Sequence, residues 1–329
     1  MVTDSHVSVA DALLLAHRGA RLALCQHLAM RVLVSGSSGF IGTAVLSALE
    51  TAGHTPLRLV RGPATGPDQV SWDIDASRLD PGSLTGVEAA VHLAGAGIGE
   101  HRWTGEYKRE ILDSRVAGTA LLTRALTQMD VAPSVLVSGS AVGYYGDRAD
   151  EELTEESSPG AGFLAEVAQA WEAAAAPAAA AGIRTVLLRT GLVLGAGGGT
   201  LRRLLSLFKC GLGGKIGGGR QWWSWIALDD EVGAILHGLG AETLQGPVNA
   251  TAPNPVTNAE FTGILGRAVH RPTVLSVPAA ALSVVLGQER SRELVLSSQR
   301  ALPAALERSG FVFRHPVLAE AMPTLLAPL

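Results

Sequence analysis

Short apolar runs alternate with helical apolar patterns along the chain from Met30 onward. Short aliphatic and β-branched runs are typical of strands buried on both faces, whereas an apolar period of about 3.6 residues is typical of helices. The runs predict strands at residues 31–35, 55–60, 69–72, 89–93, 134–137 and 185–188. The helical periods predict helices at residues 40–53, 104–129, 163–181 and 258–269. This alternation predicts an α/β fold with a doubly wound parallel sheet.

The turn after the first predicted strand carries three glycines in a GxxGxxG pattern. A glycine turn between a buried strand and a helix lets a diphosphate approach the backbone, and the start of the helix offers it unpaired N–H groups. The pattern favours an NAD(P)-binding sheet of the Rossmann type, and a tight turn without a ligand is the alternative. The residues expected to contact the cofactor here are Gly36, Ser37, Ser38, Gly39, Phe40, Ile41 and Gly42.

An arginine, Arg61, follows the second predicted strand, where an NAD site usually has an acidic residue for the ribose hydroxyl. A guanidinium suits the additional phosphate of NADP, and Arg58 adds to the local positive charge. Asp73, which follows the third predicted strand, is expected to face the adenine amino group, and an exposed loop aspartate is the alternative. We therefore predict that the cofactor is NADP, in the form of NADPH.

The turn after the fourth predicted strand consists of small residues, AGAGIG at 94–99. Small residues let a cofactor's ribose and diphosphate lie close to the backbone. Because parallel strands end at one edge of their sheet, we expect this turn to lie beside Gly36. The cofactor contacts predicted in it are Leu93, Ala94, Gly95 and Ala96.

The composition narrows the class of protein. Of the 329 residues, 47% are hydrophobic and 17% are charged, which is typical of a chain that folds around a large core. The net charge of −4 argues against nucleic acid as a partner. The two cysteines suit a reducing cytoplasm better than a disulfide framework, and the scattered histidines predict no metal site. No apolar run is long enough to cross a membrane.

The sequence predicts three segments. Residues 1–29 form an N-terminal extension, interpreted either as a disordered arm or as a start assigned upstream of the natural one. Residues 30–270 form the cofactor-binding domain, which includes a substrate lobe from about residue 190. Residues 271–329 form a small helical C-terminal domain.

The predicted substrate lobe contains a glycine-rich loop followed by Trp222, Trp223 and Trp225. Aromatic residues beside glycine loops are typical of a substrate pocket or lid. A packed subdomain core is the alternative for each tryptophan.

Several motifs together resemble a known family. The motifs are SGSSGFIG at 35–42, SGSAVGYYG at 138–146, RTGLVLGAGGG at 189–199 and GGRQWWSWIALDD at 218–230. They resemble the atypical short-chain dehydrogenase/reductases, and more closely the epimerase-family proteins. The C-terminal domain of unknown function of those proteins resembles residues 275–325 here. The resemblance covers the chain from Met30 to its end and implies an NAD(P)-binding Rossmann domain.

The resemblance also implies a catalytic arrangement, of which this chain has only a part. Extended short-chain dehydrogenases use a serine after the fifth strand and a Tyr-x-x-x-Lys pair on the next helix. Ser140 matches that serine. The two nearest helical registers place Phe163 with Val167, or Leu164 with Ala168, so the pair is missing.

Other polar residues are candidate substitutes for the missing pair. Tyr144 follows on the same segment and is expected to reach a substrate oxygen, so the predicted catalytic residues are Ser140 and Tyr144. Arg115 stands where the family often has an asparagine. For Lys108 and Glu166 the simpler interpretation is that they are solvated helix charges.

Two hypotheses account for these features. The first is an NADP-dependent oxidoreductase or epimerase that acts on a small polar or nucleotide-linked substrate. The second is an NADP(H)-binding redox sensor or regulatory protein without turnover, which the missing pair favours. The expected partners are a small-molecule substrate and a second copy of the chain in a homodimer, with no nucleic acid and no membrane.

Overall fold

The structure is a computed structural model, and it describes residues 29–327. The predicted N-terminal extension lies outside the described residues except for its last position. In chain order the strands are β1 (Arg31–Ser35), β2 (Thr55–Val60), β3 (Gln69–Ser71), β4 (Ala89–His92), β5 (Val135–Ala141), β6 (Glu152–Leu153), β7 (Arg184–Thr190), β8 (Leu192–Leu194), β9 (Gly214–Ile216), β10 (Trp222–Trp223), β11 (Trp225–Ala227), β12 (Gly246–Ala250), β13 (Val256–Thr257), β14 (Leu275–Val277) and β15 (Arg300–Ala301). The α-helices are α1 (Phe40–Thr51), α2 (Gly105–Thr127), α3 (Phe163–Ala180), α4 (Gly199–Lys209), α5 (Leu228–Gly240), α6 (Asn258–Ala268), α7 (Ala279–Leu286), α8 (Gln288–Ser291), α9 (Ala304–Arg308) and α10 (Leu318–Leu326).

Seven of the strands form one parallel sheet in the order β12-β7-β5-β4-β1-β2-β3. The chain runs from β1 outward through β2 and β3, and then crosses back to β4 on the other side of β1. This crossover leaves a crevice at the carboxyl ends of β1 and β4, where doubly wound folds bind their ligands. The predicted α/β class and doubly wound parallel sheet are confirmed.

The sheet is covered on both faces, which explains the unbroken apolar character of its strands. On β1, Val32 and Val34 pack with α1 and α5, whereas Leu33 packs with α2 on the opposite face. Each of the three is at most 1% exposed. Burial of such a side chain stabilises the fold by roughly 1.5–3 kcal/mol. The same burial fixes the end of β1, and with it the position of the glycine turn.

Strand β5 is longer than the apolar pattern predicts, because it continues through the small residues Ser138 to Ala141. These residues pair in register with β7, with Ser138 opposite Leu187 and Ser140 opposite Arg189. Ladder hydrogen bonds satisfy the backbone here, so the strand does not require apolar side chains. As a result, Ser140 lies on the central sheet and not on a loop.

The C-terminal region is mainly helical, as predicted, and it also contains two short strands. Its β14 pairs with β9, and its β15 pairs with β6. Leu306 of α9 belongs to the main hydrophobic core, and Met322 of α10 packs with Phe261 of α6. Through these contacts the region packs on segments that precede it in the chain, and β6 lies 148 positions before β15. Between residues 29 and 327, no helix is both long and apolar enough to span a bilayer.

Candidate functional site

The turn between β1 and α1 requires glycine at two positions. Gly36 has a φ of +68°, and a Cβ on it would lie 2.7 Å from the carbonyl carbon of Leu93 and 2.9 Å from the nitrogen of Ala94. A Cβ on Gly42 would lie 2.1 Å from the carbonyl oxygen of Gly36. Both overlaps are with backbone atoms, which cannot move aside as a side chain could. The structure therefore brings together the glycine turn and the turn after β4, as the strand order predicts.

The amino end of α1 lies at the carboxyl edge of the sheet. Gly39 is its N-cap, no side chain caps the helix, and its first turn has no acidic residue. The first N–H groups of a helix lack intrahelical acceptors, and the helix dipole adds partial positive charge there. The Phe40 ring packs against Gly198, so that a Cβ on Gly198 would lie 2.6 Å from the ring. The backbone N–H groups of Phe40, Ile41 and Gly42 thus lack intrahelical acceptors, and such groups at a helix start suit an anion.

A buried serine holds the turn after β4. The hydroxyl oxygen of Ser35 accepts hydrogen bonds from the N–H groups of Leu93 (3.2 Å) and Ala94 (3.3 Å). The same hydroxyl lies 2.6 Å from Nδ1 of His92. Because its oxygen already accepts two N–H groups, Ser35 donates its hydrogen to the imidazole.

The chain of hydrogen bonds continues from His92 into α2. His92 Nε2 lies 3.0 Å from the Thr119 hydroxyl, which itself donates to the carbonyl oxygen of Arg115 over 2.6 Å. Thr119 therefore accepts from Nε2–H, and the imidazole is neutral with its proton on Nε2. Burial, and next the charge of Arg115, lower the pKa of His92 to about 4. Sequence reasoning missed this network, although polar residues at the ends of apolar strands were a visible sign of it.

Arg61 and Asp73 line one pocket of about 410 Å³ beyond the carboxyl ends of β2 and β3, together with Trp72 and Arg78. Arg61 is exposed and forms no ion pair within residues 29–327. The Asp73 carboxylate accepts from the Ala76 N–H (2.9 Å) and from Arg78 (2.8 Å), and these two contacts, in that order, lower its pKa. Asp73 is thus already hydrogen-bonded, which leaves it less free to bind adenine than predicted.

Arg58 does not add to the positive charge of this pocket, contrary to the sequence-based expectation. It pairs with Asp68 on the following segment, with 2.6 Å between Nη2 and Oδ2. The pair is neutral as a unit. Among the residues that the structure describes, the unpaired cation at the end of β2 is therefore Arg61.

Ser140 forms part of a buried charged network. Its hydroxyl donates to Oε1 of Glu172 over 2.6 Å, and Glu172 in turn accepts two hydrogen bonds from Arg189, at 2.8 and 2.9 Å. The Arg189 side chain is 2% exposed and that of Glu172 is 10% exposed. Burial alone would lower the pKa of Arg189, but the hydrogen bonds and charge of Glu172 outweigh it and raise that pKa above its ordinary value. Arg189 is therefore charged, and it holds the Glu172 carboxylate that orients Ser140.

The two tyrosines after β5 have different environments. Tyr144 is half-buried, its ring centroid lies 3.5 Å from Cζ of Arg189, and its hydroxyl has no hydrogen-bond partner in the described part of the chain. Tyr145 is fully buried, and its hydroxyl donates within the interior, to Asn249 at 2.7 Å or Thr154 at 2.9 Å. Tyr144 is thus free to meet a ligand, whereas Tyr145 supports the structure.

One face of α3 points toward the end of β5. Leu164 lies against Gly143, Trp171 against Gly139, and Glu172 against Ser140. Ala168, between them at helical spacing, is buried. This face is where the missing tyrosine and lysine would stand, and it offers no proton donor near the turn.

The other polar candidates differ in their exposure and contacts. Glu166 is exposed, as expected of a solvated charge. Lys108 is half-buried: it pairs with Glu289 of α8 at 2.6 Å and lies 4.5 Å from the Phe163 ring centroid. Trp225 is completely buried in the core, so the alternative interpretation holds for this tryptophan.

Two family descriptions match the chain. The NAD dependent epimerase/dehydratase family matches residues 32–249, and the domain of unknown function DUF1731 matches residues 277–325. Epimerase family protein MT2273 of Mycobacterium tuberculosis is 46% identical over 291 residues, which cover 88% of this chain and 96% of the relative. Human epimerase family protein SDR39U1 is 36% identical over 302 residues, which cover 91% of this chain and 100% of the relative.

Solved structures share the fold. The crystal structure of human SDR39U1 (isoform 2) with NADPH has a TM-score of 0.84 at 35% identity, covering 91% of this chain and 100% of that chain. A nucleoside-diphosphate sugar epimerase from Corynebacterium glutamicum has a TM-score of 0.77 at 36% identity, covering 95% of this chain and 61% of that chain. The resemblance inferred from the motifs is confirmed, and the chain belongs to the NAD dependent epimerase/dehydratase family, with a DUF1731 segment toward its C-terminus.

Proposed function

We propose that this protein binds NADPH and acts as an oxidoreductase or epimerase on a small polar or nucleotide-linked substrate. The observation that carries the proposal is the close backbone packing of the turn at Gly36 and Gly42, which a Cβ at either position would block. The unpaired Arg61 lies at the end of the next strand. These residues fit a dinucleotide with a 2′-phosphate, because N–H groups suit the diphosphate and a guanidinium suits the additional phosphate. Similarity to human SDR39U1, whose crystal structure contains NADPH, supports the same cofactor.

Ser140 would bind the substrate oxygen. Its hydrogen is donated to Glu172, so the remaining capacity of the hydroxyl is to accept a hydrogen bond. It therefore suits a substrate hydroxyl, which donates, better than a carbonyl oxygen. A bound nicotinamide would supply the hydride chemistry at the carbon that carries this hydroxyl.

Tyr144 would move the proton. Its hydroxyl is free of partners in residues 29–327, and stacking on Arg189 holds its ring in place. Proton transfer requires a donor or acceptor within hydrogen-bond reach of the substrate oxygen. Tyr144 and Ser140 lie four positions apart at the end of one strand, and together they would bracket that oxygen.

Binding without turnover is the second candidate. Leu164 and Ala168 leave the usual catalytic face of α3 apolar, and the hydroxyl of Ser140 is already committed to Glu172. A protein that only senses the NADPH-to-NADP⁺ ratio would need the cofactor site and no proton donor. This candidate shares the cofactor site with the first and differs from it only in the reaction.

Titration calorimetry with NADPH tests the cofactor site. We expect Gly42→Ala to abolish binding, because the added Cβ overlaps the backbone of the turn. Gly105→Ala, at the exposed first turn of α2 where a Cβ meets nothing within 4 Å, is the matched control and leaves affinity unchanged. Wild-type protein that does not bind NADPH would overturn the proposal.

Turnover is tested by incubating the protein with NADP⁺ and panels of sugar nucleotides and small alcohols while following absorbance of the reduced cofactor. Isomerisation is followed separately by chromatography, because an epimerase shows no net reduction. We expect Ser140→Ala and Tyr144→Phe each to slow any reaction found without weakening NADPH binding. NADPH binding without turnover of any substrate would favour the sensor.

A further inference from the structure

Arg115 of α2 carries a half-buried charge, and within the described residues no carboxylate is its counter-ion. Its Nη1 donates to the carbonyl oxygens of Ala96 (2.9 Å) and Ile111 (3.0 Å), and its Cζ lies 4.9 Å from the Trp171 ring centroid. Burial lowers the pKa of Arg115 to about 10, so the group is still charged at neutral pH. Within residues 29–327 no carboxylate forms an ion pair with it. This contrasts with Arg189, which Glu172 neutralises.

The position of this charge is fixed by the turn after β4. A Cβ on Gly95 would lie 3.0 Å from Cζ of Arg115, so the guanidinium packs directly on the backbone of this residue. Ala94, the preceding residue, is the one whose nitrogen lies against Gly36. Two consecutive residues of the turn after β4 therefore connect the glycine turn to this cation. Ala94 lies against Gly36, and Gly95 lies against Arg115.

The glycine turn itself brings no positive side chain. Residues 35–42, SGSSGFIG, include no charged group, and the first turn of α1 includes none either. A diphosphate bound there would receive N–H dipoles and no full positive charge. A charge that is partly removed from water is stabilised by an opposite charge, and a guanidinium suits phosphate oxygens through its planar array of donors. The unpaired guanidinium of Arg115 beside the turn would therefore complement the negative charge of a diphosphate bound on the turn.

We propose that Arg115 is a cofactor-binding residue that pairs with the diphosphate of NADPH from the β4 side of the crevice. The inference rests on the proposed NADPH binding and adds to it the source of the positive charge. A purely structural role is the competing explanation, in which Arg115 only holds Ala96 through its carbonyl oxygen. The two explanations differ in how the protein responds to ligands that lack a diphosphate.

Three ligands separate the explanations by calorimetry: NADPH, 2′-phospho-ADP-ribose, which keeps the diphosphate but lacks nicotinamide, and adenosine 2′,5′-bisphosphate, which lacks the diphosphate linkage. Arg115→Gln keeps an N–H donor and loses the charge. We expect it to lower the affinity for NADPH and for 2′-phospho-ADP-ribose about tenfold, because a charged hydrogen bond is lost. Binding of adenosine 2′,5′-bisphosphate should change less than about twofold. Arg115→Lys, which keeps the charge, should recover part of the affinity.

Arg109→Gln is the matched control, because Arg109 is an exposed arginine on the same helix. It should leave all three affinities unchanged. If Arg115→Gln lost the same affinity for all three ligands, or lost affinity for NADPH alone, the pairing with the diphosphate would be overturned. No change in any affinity, in a variant that melts like the wild type, would overturn it as well. If wild-type protein bound none of the ligands, the failure would instead be that of NADPH binding itself.

Discussion

Ser140 on β5 and Glu172 on α3 are joined by a hydrogen bond of 2.6 Å, and the same carboxylate binds Arg189 on the neighbouring strand β7. The serine, the carboxylate and the guanidinium therefore act as one unit at the carboxyl edge of the sheet. Glu172 occupies the helix face from which the family's tyrosine and lysine would reach the substrate. In this chain, that face orients a serine through a carboxylate and supplies no proton donor of its own.

Removing the charge of Glu172 should destabilise the protein strongly. Glu172→Gln leaves Arg189 buried without its counter-ion, and breaking a buried pair in this way costs about 3–5 kcal/mol. Urea unfolding measures the loss. Glu166→Gln, on the exposed face of the same helix, should change the free energy of unfolding by less than about 0.5 kcal/mol. If the two variants were equally stable, the network would not support the fold.

Arg61 should set the preference for NADPH over NADH. Arg61→Ala removes the unpaired cation of the pocket, so NADPH affinity should fall roughly tenfold to a hundredfold, as for loss of a charged phosphate contact, while NADH affinity stays nearly constant. Arg58→Ala is the control, because Arg58 is already paired with Asp68. Its ratio of NADPH to NADH affinity should match that of the wild type. A wild type that binds NADH more tightly than NADPH would contradict the assignment of Arg61.

His92 should make the fold sensitive to acid. Its pKa is lowered from 6.5 to about 4 in the folded protein, so the unfolded chain binds one more proton in that interval. The stabilisation is complete above pH 6.5 and is lost as the pH falls toward 4, by an amount on the order of 3 kcal/mol. The half-buried His237, whose pKa is also lowered by burial, adds to the loss in the same direction.

NMR titration of the His92 ring checks this directly. The ring signals should not shift between pH 8 and 5, and they should report the tautomer with its proton on Nε2. An imidazole that titrated near pH 6.5 in the folded protein would show that the network with Ser35 and Thr119 does not hold it neutral.

Local signals in the sequence were enough to predict the sheet and the glycine turn. The first strand begins and ends at Arg31 and Ser35 as predicted, because an apolar run bounded by glycine needs only neighbouring residues to define it. The turn after β4 lies beside Gly36, since parallel strands end at one edge. The predicted end of β5 was wrong because ladder pairing with β7, and not apolar character, carries the strand through Ser140.

Contacts between distant residues could not be predicted in the same way. Ser140 and Glu172 are 32 positions apart, and Lys108 and Glu289 are 181 apart, so no pattern in either segment indicates the partner. The charge balance around Arg58 was misjudged for the same reason: the ion pair with Asp68 depends on the third strand folding back beside the second. The sequence shows Arg115 as a replacement for the family's asparagine and Arg189 as part of a family motif, but it does not indicate that Glu172 pairs with Arg189.

Glu231 of α5 should give the protein the opposite pH dependence from that of His92. Its side chain is fully buried, Oε1 accepts a hydrogen bond from Thr190 at 2.8 Å, and Oε2 has no partner within residues 29–327. Burial raises its pKa from 4.5 to about 8, against the smaller effect of Thr190. The folded protein therefore binds the additional proton, and the stabilisation that this brings below pH 4.5 is lost as the pH rises through 8.

Glu231→Gln should remove this dependence, because a glutamine keeps the acceptor for Thr190 and cannot ionise. We expect the variant to be more stable than the wild type at pH 8, by roughly 1–3 kcal/mol once the cost of burying an unpaired amide is deducted. At pH 5, where the wild-type carboxyl is protonated, the advantage should vanish. Glu320→Gln, an exposed position on α10, should follow the wild-type curve at both pH values. Urea unfolding at pH 5 and pH 8 measures the difference, and a stability difference between variant and wild type that is the same at both pH values would contradict the raised pKa of Glu231.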